Sequence, residues 1–254
     1  MDYIQLIKDK KPIIQCITNI VTVNDCANAL LAIGASPTMA HHPEEMAEIQ
    51  AGCDALVCNL GATECFDAML EAAKQANASG HPMVIDPVGC GGSTFRREFF
   101  KKLIELCKPT CIRGNYSEII ALAKDAATGT GVDCVGLDAH AKDDLVQIEQ
   151  AARKLSVAVG CVVVATGEID IIVDGYKTEV ITGGDTLMKR ITGAGCMASS
   201  LMGAYLAVDK SYNSVKACCI RMKKAGEEAA TITRNNQKGS MTFREKLIDM
   251  LYME

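Results

Sequence analysis

Thr192-Gly193-Ala194-Gly195-Cys196-Met197 joins a freely bending backbone to a nucleophilic side chain. Glycines at 193 and 195 let the main chain approach a ligand with no side chain between them. Met197, Leu201, Ala204 and Val208 follow at helical spacing, so a buried helix begins here. A helix start leaves several N–H groups unpaired and carries about half a positive charge. Such a segment makes an anion hole suited to the charge on a phosphoryl group in transfer. Cys196, in the first turn, faces whatever the hole contains. The same residues also describe a glycine-rich entry into a core helix with a small buried cysteine, and alone they do not separate the two.

Further polar residues close apolar runs. Gln15-Cys16-Ile17-Thr18-Asn19 ends in Asn19, ahead of a helix for which Asn24 or Asp25 is the expected cap. Val84-Ile85-Asp86-Pro87-Val88-Gly89 ends in Asp86, and Pro87 bars continuation as an inner strand. A carboxylate there can hold Mg²⁺ through water or cap the turn into Gly89-Cys90-Gly91-Gly92. Arg113 closes another short run and can grip phosphate oxygens in pairs. Asn115 and Glu118, three apart at a helix start, also spell a capping box. Thr166-Gly167 ends the run from Val163 and offers a hydroxyl and open backbone to a nucleotide. Met39 can line a pocket or simply fill the core.

The elements that must position these groups alternate along the chain. Strands are expected at 13–17, 55–60, 83–86, 111–113, 161–165 and 169–173. Helices are expected at 24–33, 66–78, 95–106, 143–155, 214–233 and 243–252. Asp174-Gly175 between two alternating runs marks a hairpin that continues over 176–181. Buried strands alternating with helices predict an α/β fold with a mostly parallel sheet, whose ligands bind beyond the carboxyl ends of the strands. Asn19, Asp86, Arg113 and Thr166 stand at the ends of such runs. No linker or repeat interrupts the 254 residues, so residues 1–254 are expected to form one domain.

Composition excludes several classes. A formal net charge of -5 and no long basic run argue against nucleic acid or an anionic membrane as partner. No apolar run reaches membrane-spanning length and the opening carries no signal-peptide core, so a cytoplasmic location is expected. Thirteen cysteines without a CxxC pair read as reduced core thiols. His41-His42 beside Pro43 are expected to cap the next helix. No GxxxxGK[ST] occurs, which excludes a P-loop nucleotidase.

With DPVG, RGNxSE, a strand ending in TG, and TGAGC in that order, the chain resembles the ribokinase-like superfamily. The opening ITNIVTVNDCANALLAIGASPTMAHHPEE is similar to that of hydroxyethylthiazole kinases, and the likeness covers nearly the whole chain. The resemblance implies a three-layer α/β/α fold and a homotrimer with sites between subunits. It implies ATP-dependent phosphorylation of the alcohol of 4-methyl-5-(2-hydroxyethyl)thiazole, a step of thiamine salvage. By position it assigns Met39 and Gly193, with Asn19, to thiazole binding, and Arg113 and Thr166 to ATP. Asp86 and Glu118 match the acidic pair associated with Mg²⁺ and phosphate. Cys196, with the backbone of Gly193, Ala194 and Gly195, takes the catalytic position, where most ribokinase-like enzymes carry an aspartate base. The chain departs from the family at Cys90-Gly91-Gly92-Ser93 and at 239–243, both outside the proposed catalytic groups.

The helix N-terminus is expected to lower the Cys196 pKa, with ATP opposing it. Two rivals share the pattern. An NAD(P)H-hydrate dehydratase keeps an aspartate at the Cys196 position and lacks the asparagine-rich opening. A non-catalytic thiazole sensor would tolerate loss of Asp86, Glu118 or the glycines, all of which are present.

Overall fold

The computed structural model describes residues 1–125 and 142–253. Its centre is an eight-stranded sheet of order β2-β1-β3-β4-β5-β6-β7-β8. These are β1 (Ile13–Ile17), β2 (Ser36–Thr38), β3 (Ala55–Asn59), β4 (Met83–Asp86), β5 (Cys111–Asn115), β6 (Val162–Thr166), β7 (Asp170–Asp174) and β8 (Lys177–Ile181). β2 through β6 run parallel, while β7 and β8 add an antiparallel hairpin at one edge. Every residue of β3 and β4 is buried, which explains their unbroken apolar runs.

Two apolar clusters, one per sheet face, complete three layers. The first joins the sheet to α1 (Tyr3–Lys10), α2 (Val23–Ala32), α8 (Ala194–Val208), α9 (Tyr212–Asn235) and α10 (Ser240–Tyr252). The second joins it to α3 (Met46–Ala51), α4 (Phe66–Ser79), α5 (Thr94–Leu106), α6 (Tyr116–Asp125) and α7 (Lys142–Val159). Ile14, Val84 and Ile85 are fully covered, and each such side chain contributes about 1.5–3 kcal/mol. Among the described residues, no helix is long and apolar enough to cross a membrane.

The sequence reading misses one helix, α1, and one strand, β2, and of α3 it gives only the cap expected at His41-His42. α1 and α3 are short, and β2 is a three-residue edge strand containing Pro37. For α6 only the start was legible. The cap of α2 differs from expectation: Thr22 takes that position, and its hydroxyl donates to Asn19 Oδ1 at 3.2 Å and caps no helix N–H. Asp25 instead lies buried in the first turn and accepts the Arg244 guanidinium, which reaches over from α10. His42 does cap the short turn at Pro43–Glu45. All described cysteines are free thiols, buried except for Cys196, which is partly exposed; Cys134 lies outside the described residues.

Candidate active site

The sheet order reverses between β1 and β3, since β2 lies on one side of β1 and β3 on the other. A crevice opens at the carboxyl ends of strands at such a switch point. The N-terminus of α8 points into it. Gly193 caps that helix at φ 88°, in the left-handed region where a side chain is strained. A Cβ there would lie 2.8 Å from Cγ2 of Thr22, so close packing excludes it independently. The first intrahelical bond runs from the Met197 N–H to the Gly193 carbonyl. The N–H groups of Ala194, Gly195 and Cys196 therefore precede the helical ladder, as the anion-hole reading requires.

On one side of this helix start lies a cavity of about 690 Å³, lined by Arg113, Thr166, Ala194 and Gly195 among others. Arg113, 9% exposed, donates from Nη1 to the Gly195 carbonyl at 2.9 Å and to Ser199 Oγ at 3.3 Å. It thus fixes the first turn of α8 while lining the cavity. Thr166 closes β6, and its hydroxyl donates to the Gly114 carbonyl at 3.1 Å.

On the other side stands Cys196, which does not line that cavity. Its Sγ accepts from Asn59 Nδ2 at 3.2 Å and from Asn19 Nδ2 at 3.5 Å. Asn59 also donates to Asp86 Oδ2 at 3.0 Å, and its Oδ1 receives the Gly61 N–H at 2.9 Å. One amide thus ties the thiol to the carboxylate. The expected lowering of the Cys196 pKa is overturned. Burial and then the Asp86 charge push it up, against hydrogen bonds from Thr22, Asn19 and Asn59. Desolvation dominates, and the thiol form is favoured.

Asp86 is 3% exposed, and its carboxyl is pushed from 3.8 up to about 7. Burial is the main cause; Arg113 opposes it and Glu118 adds to it. Asp86 does not cap the glycine turn. Glu118 does so, accepting the Gly89 N–H on Oε1 at 2.9 Å. Its Oε2 accepts the Asn115 N–H at 2.8 Å, while Asn115 Oδ1 receives the Glu118 N–H at 2.9 Å. The capping box is therefore formed, whatever else Glu118 does. Burial raises its pKa too, against those N–H bonds and Arg113. Two buried carboxylates with raised pKa values make a site short of positive charge. No cluster of three or more His, Cys, Asp or Glu ligands exists among the described residues. Two hard oxygen donors suit Mg²⁺, which keeps water and phosphate in most of its positions.

Met39 follows β2 at the same end of the sheet and packs against the apolar cluster beneath α8, outside the hydrogen-bonded group around Cys196. The sequence reading misses Asn59, although it is the lone polar residue of the apolar run 55–60. It stands beside Asp86 in the β3–β4 register.

Fold and crevice together define a ribokinase-like architecture. A ribokinase-like superfamily protein from Enterococcus faecalis shares it at a TM-score of 0.65 and 11% identity, covering 96% of this chain and 88% of that one. The hydroxyethylthiazole kinase from Pyrococcus horikoshii superposes at a TM-score of 0.86 with 29% identity, covering 100% of this chain and 92% of that one. The sequence of hydroxyethylthiazole kinase 1 from Methanosphaera stadtmanae is 40% identical over 256 residues, 98% of this chain and 90% of its own length. The profile of the hydroxyethylthiazole kinase family matches residues 4–253, and the chain belongs to that family.

Proposed function

We infer that this chain transfers a phosphoryl group from ATP to the hydroxyl of 4-methyl-5-(2-hydroxyethyl)thiazole, a step of thiamine salvage, with residues 1–254 acting as one kinase domain in the cytoplasm. One observation carries the reading beyond family membership. The free N–H groups at the start of α8 stand between a nucleotide-sized cavity and the Asn19–Asn59–Cys196 cluster. Phosphoryl transfer asks the protein chiefly to align two reactants and to offset charge on the moving group.

ATP occupies the cavity, with Arg113 and Thr166 at its phosphate end. The amides of Ala194, Gly195 and Cys196 receive the transferring group. Asp86 and Glu118 would hold Mg²⁺, and the ion would offset phosphate charge. The alcohol lies against Cys196, between Asn19 and Met39. A loose transition state needs little deprotonation of the attacking alcohol, so a protonated thiol suffices beside it. Ile20 and Val21, 82% and 68% exposed, adjoin Asn19. Their apolar surface supports a homotrimer in which a neighbouring copy closes the thiazole side.

A coupled ADP-release assay with the thiazole alcohol and a panel of other primary alcohols tests the assignment. Turnover with the thiazole alcohol well above the rest is expected. Equal rates across the panel, or none, would overturn it.

A further inference from the structure

α9 turns Cys218, Cys219, Met222 and Ala225 inward, and Lys223 is buried among them. A buried ammonium persists only when its charge and each N–H are answered. Lys223 Nζ donates to the Gly167 and Glu168 carbonyls, both at 2.9 Å, and lies 3.1 Å from Asp170 Oδ1. Three partners match its three N–H groups. The same Asp170 oxygen accepts the Gly167 N–H at 3.1 Å. The turn joining β6 to β7 is held from its other side as well. Tyr116, on α6, donates its hydroxyl to the Ile169 carbonyl. A Cβ on Gly167 would lie 2.4 Å from the Tyr116 ring. All three carbonyls of residues 167–169 are thus gripped by side chains from α9 and α6. That turn begins immediately after Thr166, and its residues line the 690 Å³ cavity together with Asp170 and Lys223.

We propose that Lys223, paired with Asp170, is a positioning residue for the nucleotide: it fixes turn 167–169 as the wall against which the nucleoside part of ATP packs. A lysine in a nucleotide cleft ordinarily invites assignment as a phosphate ligand. Here its donors are already engaged with backbone and carboxylate, and the phosphate end of the cavity lies at Ala194 and Gly195 instead. The inference rests on the reading of this cavity as the ATP site. Holding the wall in place before ATP arrives removes an ordering cost from binding, and the transfer step itself gains nothing from it.

Steady-state kinetics of the full chain separates the roles. Lys223→Met should raise KM for ATP about tenfold, with kcat within about threefold and KM for the thiazole alcohol unchanged. The paired variant Lys223→Met/Asp170→Asn removes both buried charges together, so folding does not hinge on an orphaned carboxylate. It should show the same split, with its melting temperature recorded alongside. A fall in kcat as large as that in kcat/KM would make Lys223 a phosphate contact in the transition state and overturn the proposal. So would an unchanged KM for ATP with a lowered melting temperature, the signature of a purely structural pair. Failure of the underlying reading looks different: the unmodified chain would then show no saturable dependence on ATP.

Discussion

The two sides of the α8 N-terminus are built on different principles. The proposed nucleotide side is a formed cavity whose walls come from β5, β6, the turn after β6, the segment 182–189, α8 and α9 of a single chain. Its polar groups are cross-tied: Arg113 to Gly195, Thr166 to Gly114, and Lys223 to Gly167 and Glu168. The cysteine side is a short relay of amides, Asn19 and Asn59, joined to Cys196 and Asp86, beside the exposed Ile20 and Val21. One side is preorganised by its own fold; the other carries exposed apolar surface, which the proposed trimer would cover. Preorganisation within a chain makes affinity independent of assembly, whereas a shared site ties affinity to oligomerisation.

The largest effect should come where the sides meet. Gly193→Val forces a β-branched residue into the left-handed region and into Thr22, displacing the amides at the start of α8 to which the proposed transfer is assigned. A loss of at least about a hundredfold in kcat is expected, comparable to losing an oxyanion-hole donor. Near-native turnover would dissolve the idea of a common hole.

Separating the sides calls for a change at the apolar surface. Val21→Asp should shift the chain toward monomer in light scattering and weaken thiazole binding about tenfold or more, while ADP affinity stays within about twofold. Parallel loss of both affinities would erase the contrast between an enclosed and a shared site.

Asp86 belongs to both sides, through Arg113 and through Asn59. Asp86→Asn should lower kcat about tenfold, roughly 1.4 kcal/mol of barrier. Stability supplies a second reading in metal-free protein. The folded carboxyl sits near 7 against an ordinary 3.8, so the native state binds more protons than the unfolded one between those values. Native stability therefore falls as pH rises from about 4 to about 7. Asp86→Asn removes that loss, and its melting temperature relative to the unmodified chain should increase from pH 5 to pH 8. A difference that is flat with pH would contradict the burial cost assigned to this group.

The smallest effect belongs to the cysteine side chain. Because Cys196 is a thiol and the hole is backbone, Cys196→Ala should keep kcat within about tenfold. Cys196→Asp should equal or exceed the native rate, since Asn19 and Asn59 can donate to a carboxylate there. Abolition by both changes would point to a covalent phospho-cysteine, and a well-folded but inactive Cys196→Asp would remove any case for a base at this position.

Much of this architecture was legible in the residues themselves. Short apolar runs such as Met83-Val84-Ile85 read as strands covered on both faces, and Asp86 marks the carboxyl end of its strand. Asp174-Gly175 announced the hairpin, and Gly193 announced the left-handed turn into α8, because backbone conformation is a local property that residue type constrains directly. Boundaries were less legible where a neighbour, not the local sequence, supplies the cap. Asp25 looks like a capping residue in a string of letters, but in the fold it answers Arg244, over two hundred residues away.

What the chain determined alone is its longer elements, their order and the end of the sheet at which polar residues gather; these follow from periodicity and turn geometry within a few residues. Only the tertiary structure decided how the groups share duties. It set Asn59 between Cys196 and Asp86, engaged both oxygens of Glu118 with backbone N–H groups, and closed Lys223 onto the turn after Thr166. It also reversed the expected shift of the Cys196 thiol. Burial and the charge of a distant neighbour set a pKa through space, and neither is written in the adjacent residues.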